Sequence, residues 1–494
     1  MNFNDASNET IDQTLEKAWD AFHLYRNTPL KQRAEFMREI GTQLSDSAHL
    51  LVPTASKETN LPEQRLHSEL TRTIFQLNNY AAETEKGCWL DLRIDTADDL
   101  RKPPKPDLRK MNVAIGPVVV YGASNFPFAY STAGGDTACA LAAGCPVIVK
   151  AHPAHPETSF QVAEIIHRVV KSCNLPEGVF AHLYGRSVEV GKALVTHRYT
   201  KAVGFTGSMQ GGRALFNWAN QREEPIPVFA EMGSTNPVFL LPGKLKESPE
   251  EMATMFAASI TLGLGQFCTN PGLLFAMEGP ELQEFISHLS RSIQYSAPGK
   301  MLHKGIAQSF RDKKKEMMSK SSVLEIAASA TVSDADNEIM AAPIITTTNA
   351  SAFLSDPKLQ EEVFGPYSMI VTCRDKEEML DCVKATVGQL TCTLIATEPE
   401  LSQYKELIEA IKNICGRLIY NNVPTGVEVC NAMHHGGPYP ASTDSRFTSV
   451  GADGIKRFVR PLSFQNWPDS KLPEELKEDN PLNLWRVVNG DLKK

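Results

Sequence analysis

The chain has 494 residues, of which 42% are hydrophobic and 22% charged, and its formal net charge is −8. That length exceeds one ordinary core, so two or three domains are expected, and the acidic balance argues against a nucleic-acid partner. No apolar run reaches the roughly 18 residues that span a bilayer. The first residues lack a signal peptide's basic and apolar regions, and the ten cysteines contain no Cys-x-x-Cys pair, so free thiols, a cytoplasmic location and no zinc site are expected.

Residues 1–89 read as helices. Ile11, Leu15, Trp19 and Phe22 recur three and four apart, and Lys31–Val52 and Leu61–Ala82 repeat the pattern with charged outer faces. The texture changes over 90–112: Leu90–Asp95 alternates as a strand does, and Pro103, Pro104 and Pro106 then break it. An edge arm or a linker would both read this way.

From 113 to 233 strands and helices alternate. Val113–Tyr121, Val147–Lys150, Val179–Tyr184, Ala202–Phe205 and Val228–Glu231 read as strands, and Thr132–Ala143, Glu157–Ser172, Val188–Val195 and Met209–Asn220 as helices. Such alternation implies right-handed crossovers and a parallel sheet covered on both faces, with ligands at the carboxyl ends of the strands. Asn125, Lys150, Gly207, Ser208 and Glu231 fall at those ends. The run Gly204-Phe-Thr-Gly-Ser-Met-Gln-Gly-Gly, closing at Gly212, follows a strand and opens a helix. Its glycines would bring backbone amides against a pyrophosphate or nicotinamide, although it is not the standard Gly-x-Gly-x-x-Gly.

After Gly233 the pattern restarts, with a strand at Pro237–Leu241, a helix at Pro249–Thr261, and the Cys268 segment opening a helical run through Glu281–Ser292. Alternation continues to about Tyr420, so 234–450 reads as a second α/β domain facing the first across a cleft. Cys268 lies between Gly263/Gly265 and Pro271-Gly272. A thiol presented on such turns, with its own N–H free, suits a covalent nucleophile; a buried free cysteine is the other reading. Glu362, before the strand Tyr367–Thr372, is either a loop carboxylate or a cofactor contact. Adjacent His434 and His435 cannot both reach one metal comfortably, so no metal site is expected. A helix around Gly454–Val459 and an alternating strand, Pro461–Asn466, precede a polar tail.

These residues together resemble the aldehyde dehydrogenase superfamily over nearly the whole chain. The motifs stand in family order: Ser124-Asn125-Phe126-Pro127, Val149-Lys150, Gly204-Phe-Thr-Gly-Ser, Glu231-Met-Gly-Ser, Gly265-Gln-Phe-Cys268 and Glu362-Val-Phe364-Gly-Pro. Within it the chain looks most like α-ketoglutaric semialdehyde (2,5-dioxopentanoate) dehydrogenases and a related NADP-dependent fatty aldehyde dehydrogenase. That likeness rests on Gly122-Ala-Ser-Asn-Phe-Pro-Phe-Ala, Lys150-Ala-His-Pro-Ala-His-Pro, His435-Gly-Gly-Pro-Tyr-Pro-Ala, Arg457-Phe-Val-Arg-Pro and Asp479-Asn-Pro-Leu-Asn-Leu-Trp.

The resemblance implies an α/β fold of two Rossmann-like parallel-sheet domains facing a cleft, plus a small β oligomerisation arm. Residues 1–89 and 113–233 would bind the cofactor, 234–450 would carry the catalysis, and 90–112 with 460–494 would form the arm and tail. It implies Cys268 as nucleophile, Asn125 and the Cys268 N–H as the oxyanion site, and Glu231 as the base that activates water. Glu231 suits that task if the cleft raises its pKa towards neutrality. Lys150 and Glu362 would hold the riboses and Phe364 would pack near the nicotinamide, with Gly207, Ser208 and Gly212 at the helix start. Pro153 stands where many NAD-preferring relatives have a glutamate, and Arg186 is placed to pair with a 2′-phosphate, so NADP is expected to be preferred and NAD accepted. Phe126 and Phe447 would wall the substrate, and Arg446 would meet a substrate carboxylate or form a structural ion pair. The implied reaction is oxidation of α-ketoglutaric semialdehyde to 2-oxoglutarate, with broad medium- or long-chain aldehyde oxidation as the alternative. A homodimer or homotetramer is expected, with a small-molecule aldehyde as partner and neither nucleic acid nor membrane.

Overall fold

The computed structural model describes residues 3–329 and 338–494. The aliphatic runs of the first α/β region become buried parallel strands: β1 (Val118–Tyr121), β2 (Val147–Lys150), β3 (Phe180–Leu183), β4 (Ala202–Thr206) and β5 (Val228–Glu231). They pair in the order β3-β2-β1-β4-β5. Sequence order reverses between β1 and β4, so the loops leaving these two strands part around a crevice, where ligands of such sheets bind. Asn125 lies on the first loop and Gly207 on the second. The helix Gly135–Ala143 is buried along its whole length, which its Ala, Gly and Cys side chains permit.

The amino-terminal helices are Asn8–Tyr25, Leu30–Asp46, Ala48–Thr59 and Glu63–Lys86. The single helix expected over Lys31–Val52 is broken at Ser47, whose ψ of 1° turns the chain. Tyr25, Phe36, Met37, Leu66 and Tyr80 from this layer join Val118, Val120, Val147 and Val149 in one core.

The second sheet contains β6 (Val238–Leu240), β7 (Leu273–Met277), β8 (Leu324–Ala328), β9 (Ile344–Asn349), β10 (Tyr367–Cys373), β11 (Gln389–Ile395) and β12 (Cys415–Tyr420). Their order is β8-β9-β10-β7-β6-β11-β12, parallel throughout except for β8 against β9. Here the structure corrects the sequence reading, in which the Cys268 segment opens a helix. Leu273–Met277 is instead a central strand, and the helix begins only at Pro280. A five-residue apolar run carries no periodicity to tell strand from helix; pairing with β6 and β10 decides it.

The arm is a separate five-stranded sheet of Val459–Gln465, Leu108–Ala114, Arg93–Asp95, Arg486–Val488 and Asp491–Lys493. The strand expected at Val113–Tyr121 therefore divides at Gly116 and Pro117: its start belongs to the arm, two residues past the expected boundary, and the rest is β1. The helix expected near Gly454–Val459 is a 3-10 segment, Ala452–Phe458. No helix among the described residues is long and apolar enough to cross a membrane.

Arg457 joins that 3-10 segment to the helix Gly135–Ala143. Its guanidinium donates to Asp136 Oδ1 at 2.7 Å and to Cys139 Sγ at 3.4 Å, all buried. Asp136→Ala would strand a buried charge, so it should lower unfolding stability by about 3–5 kcal/mol, measured by urea denaturation.

Candidate active site

Cys268 follows a short left-handed winding, with φ of 53° at Gly263, 56° at Leu264 and 61° at Gly265. Gly265 is obligatory for a second reason: a Cβ there would sit 2.2 Å from the Gly365 carbonyl oxygen. The loop is then tied down from the β5–β6 connection. Asn236, itself at φ 46°, donates through Nδ2 to the carbonyls of Cys268 (2.8 Å), Asn270 (3.0 Å) and Ser234 (3.2 Å).

Asn125 reaches this loop from the end of β1. Its Nδ2 donates to the Gln266 carbonyl at 3.2 Å, and its own carbonyl accepts from Arg65 Nη2 at 3.0 Å. One N–H of the Asn125 amide is left over. The Cys268 backbone N–H takes no backbone or side-chain acceptor among the described residues.

Glu231, at the end of β5, completes the cluster together with His435. The Cys268 Sγ is 3.6 Å from His435 Nε2. That nitrogen is 3.0 Å from Glu231 Oε1, though not aligned for a hydrogen bond to it. Glu231 Oε2 accepts from Ser449 Oγ at 2.6 Å. Ligand atoms of Cys268, Glu231 and His435 all lie within 4.8 Å of one another. His435 is absent from the sequence-derived site; it entered only as an unsuited metal ligand and as the start of the motif His435-Gly-Gly-Pro-Tyr-Pro-Ala. Its one signal was the Gly436-Gly437 pair after it, which lets the chain press against the Phe447 and Gln389 carbonyls.

Burial pushes the Cys268 thiol well above its ordinary pKa, and the Glu231 and Glu362 charges push it the same way. Burial also acts to raise Glu231, but His435, Ser449 and Cys268 outweigh it and hold the carboxyl below its usual range. This corrects the sequence reading, which asked for a raised value: the carboxylate has partners that favour its charge. Glu362 is the carboxyl that burial lifts, to about 7, against one opposing bond from the Ser234 amide.

Glu362 and Phe364 line a small cavity with Gly265, Phe267 and Thr235, beneath the thiol loop. Lys150, at the end of β2, is partly buried, and its ammonium has no carboxylate within 4.0 Å among the described residues. Gly207 donates its N–H to the Glu231 carbonyl at 3.0 Å. Ser208 caps the helix Met209–Asn220 by accepting from Gly211 N at 3.2 Å. Gly212 serves packing and not a ligand-facing surface, because a Cβ there would meet Met232 at 2.6 Å.

Arg186 is exposed, and a residue that the sequence reading missed sits on its backbone. Asp5 Oδ1 accepts from Arg186 N at 2.6 Å and Oδ2 from Ser187 N at 3.1 Å. The amino-terminal segment is held there by Ala6 N on the Tyr184 carbonyl and by Phe3 against Tyr184.

Of the expected substrate residues, Phe126 packs edge-on to Tyr130 and Phe267, with the Arg65 guanidinium over its ring. Phe447 packs on Phe229 and borders the same cavity as Glu231 and His435. Arg446 does not join them. Its side chain is 79% exposed and grips Asp444 at 2.5 and 2.8 Å, a local pair that two-residue spacing makes easy. A roomier cavity of about 710 Å³, lined by Trp19, Lys192, Tyr199, Trp218 and Arg222, shares no residue with this site.

A thiol, a free amide N–H and a carboxylate thus converge beside the carboxyl ends of a parallel sheet with the strand order of dinucleotide-binding folds, an arrangement suited to an oxidoreductase. The chain belongs to the aldehyde dehydrogenase family, whose model matches residues 1–460. It is therefore an NAD(P)-dependent enzyme acting on an aldehyde. It is 45% identical over 489 residues to α-ketoglutaric semialdehyde dehydrogenase 2 of Azospirillum brasilense, covering 99% of this chain and 93% of that protein. To α-ketoglutaric semialdehyde dehydrogenase of Acinetobacter baylyi it is 42% identical over 493 residues, with 99% and 93% covered. The fold superposes on a Thermus thermophilus 1-pyrroline-5-carboxylate dehydrogenase with a TM-score of 0.78 at 20% identity, covering 94% of this chain and 86% of that one. On proline utilization A of Bdellovibrio bacteriovorus the TM-score is 0.79 at 19% identity; 94% of this chain is covered, and it spans 46% of that longer chain.

Because the Glu231 charge holds the proton on Cys268, Glu231→Gln should ease its ionisation. Alkylation of Cys268 by iodoacetamide at neutral pH should rise about tenfold, equivalent to ~1.4 kcal/mol, with the wild-type rate climbing only as pH increases.

Proposed function

We propose that this enzyme oxidises α-ketoglutaric semialdehyde to 2-oxoglutarate. The convergence of Cys268, Glu231 and Asn125 supports the reaction, and the near-full-length likeness to two enzymes of that name supports the substrate.

The Cys268 sulfur, its proton lost to solvent, adds as the thiolate to the aldehyde carbon and forms a thiohemiacetal. The free Asn125 N–H and the Cys268 N–H receive the oxyanion, each donor contributing about 2.7–4 kcal/mol to such a transition state. NAD(P)+ held by Lys150, Glu362 and Phe364 would supply the hydride acceptor, and oxidation of that carbon leaves a thioester on Cys268. Glu231 then takes a proton from water, the water oxygen attacks the thioester, and the acid departs as the thiol reforms. Aldehyde, water and oxidised dinucleotide give acid, reduced dinucleotide and a proton. With Glu231 present to activate water, hydrolysis is favoured over transfer to coenzyme A.

The residues present fit a dinucleotide. Among the described residues Lys150 and Glu362 form no ion pair, which suits ribose hydroxyls, and Phe364 beside Glu362 suits the nicotinamide face. Gly207 and Ser208 stand at the helix start, where a pyrophosphate would lie. The five-stranded β1–β5 domain with its helical layer would bind the cofactor, and β6–β12 would carry the thiol. The arm, with a long antiparallel pair at its edge, suits self-association into a dimer or tetramer, and a cytoplasmic location fits the free cysteines. For the alternative substrate, a fatty aldehyde, a long apolar channel would be needed. The Arg65 guanidinium between Phe126 and Phe267 speaks against one.

In a panel of 2,5-dioxopentanoate, glutaraldehyde and decanal, kcat/KM should be highest for 2,5-dioxopentanoate, and preference for decanal would reject the substrate assignment. NADP is proposed as the preferred cofactor: Arg186 carries no ion pair among the described residues, and Pro153 offers no carboxylate to repel a 2′-phosphate. Asp5 opposes this from the Arg186 and Ser187 amides. Arg186→Ala should therefore weaken NADP binding about tenfold or more with little change for NAD, and Asp5→Asn should shift the balance further towards NADP, both read by fluorescence titration of each dinucleotide.

A further inference from the structure

We infer that Arg72 and Arg417 form a two-guanidinium clamp for the carboxylate of the substrate; this rests on the proposal that the substrate is a semialdehyde bearing an acid. The two side chains come from unrelated places, Arg72 from the helix Glu63–Lys86 and Arg417 from β12, and both donate to the loop 424–427. Arg72 Nη2 donates to the Val427 carbonyl at 3.3 Å and to Tyr130 Oη at 3.5 Å. Arg417 donates to the Gly426 carbonyl at 3.0 Å and the Pro424 carbonyl at 2.7 Å.

Neither cation is satisfied. Arg72 Nη1 and Arg417 Nε are both buried without a hydrogen-bond partner. No carboxylate lies within 4.0 Å of either guanidinium among the described residues. The acid that comes nearest in charge, Glu69, spends Oε1 on the Phe128 and Ala129 amides. Two largely buried guanidiniums on one loop, neither in an ion pair, each keep an N–H that the protein leaves unused, and a planar carboxylate is the group whose geometry matches such forks.

The place is right for the far end of a short substrate. Arg72 stands over the Tyr130 ring at 5.4 Å, Tyr130 packs on Phe126, and Phe126 packs on Phe267, next to the thiol. The charges of both arginines are felt at Cys268. In 2,5-dioxopentanoate the aldehyde carbon and the carboxylate carbon are four bonds apart, roughly 5 Å when extended. The 2-keto oxygen adds an acceptor beside the carboxylate, so two orphan N–H groups meet a cluster of oxygens. Two other arginines are excluded by their contacts. Arg446 is exposed and paired with Asp444; Arg65 also keeps one buried N–H without a partner, but its guanidinium is sandwiched between Phe126 and Phe267 while donating to the Asn125 carbonyl, which makes it a positioning residue.

The test compares 2,5-dioxopentanoate with pentanal, an aldehyde of equal chain length without charge, in the full-length enzyme, Arg72→Gln and Arg417→Gln. Removing Arg72 also withdraws a positive charge from the thiol, so both substrates slow and the ratio between them is the readout. The clamp predicts that kcat/KM for 2,5-dioxopentanoate falls about 100-fold in each variant, chiefly through KM, and at least tenfold more than for pentanal. Arg72→Lys and Arg417→Lys, which keep the charge and the side-chain length, should recover part of the loss. Equal losses on both substrates would assign the arginines to holding the 424–427 loop and overturn the clamp, as would variants that keep the full wild-type preference. A wild-type enzyme with no preference for 2,5-dioxopentanoate over pentanal would instead overturn the substrate assignment, and the clamp with it.

Discussion

The hold of one buried carboxamide on the thiol loop governs the rest of this structure. Asn236 sits in a left-handed turn between the two sheets and gathers the carbonyls of Ser234, Cys268 and Asn270. Its own oxygen accepts from Ser234 and Thr391, so the side chain has no freedom to follow the loop if the loop moves. Through it the nucleophile segment is registered to β11 and to the strand end that carries Glu231. Angles and distances at the thiol are therefore set by the sheet framework and not by the loop's own preferences.

Within that frame, burial acts on three acidic groups and its outcome differs at each. The Cys268 thiol is pushed up by burial and further by the carboxylates near it, Glu231 is held low by its donors, and Glu362, with one amide donor, is lifted to about 7. Desolvation is common to all three, so it is the neighbours that divide the roles. His435 is central to this division: it faces both the thiol and the carboxylate from a loop that sequence separates from each of them by well over a hundred positions.

Much of the fold was legible because periodicity reports burial directly. The strand Val147–Lys150, the strand Val228–Glu231 and the helices Met209–Asn220 and Pro249–Thr261 occupy the residues expected of them. Leu273–Met277 was not legible, since five apolar residues after Pro-Gly suit a strand or a buried helix equally. The site divides along similar lines. Cys268, Asn125 and Glu231 announce themselves through the turns and strand ends on which they sit. His435, Asp5, Arg72 and Arg417 meet partners brought from distant segments, and no local pattern marks such meetings. Arg446 takes the structural ion pair that was one of its two expected roles, because Asp444, two residues away, holds it.

The contact between Gly265 and Gly365 has a mechanical consequence. Backbone meets backbone there with no room for a methyl group, and Asn270 donates to the same Gly365 carbonyl at 3.3 Å. The segment bearing Glu362 and Phe364 and the segment bearing the thiol are geared together, three residues from the sulfur on one side and two on the other. A displacement of either is transmitted to its mate undamped, so whatever docks against one loop also adjusts the aim of the other.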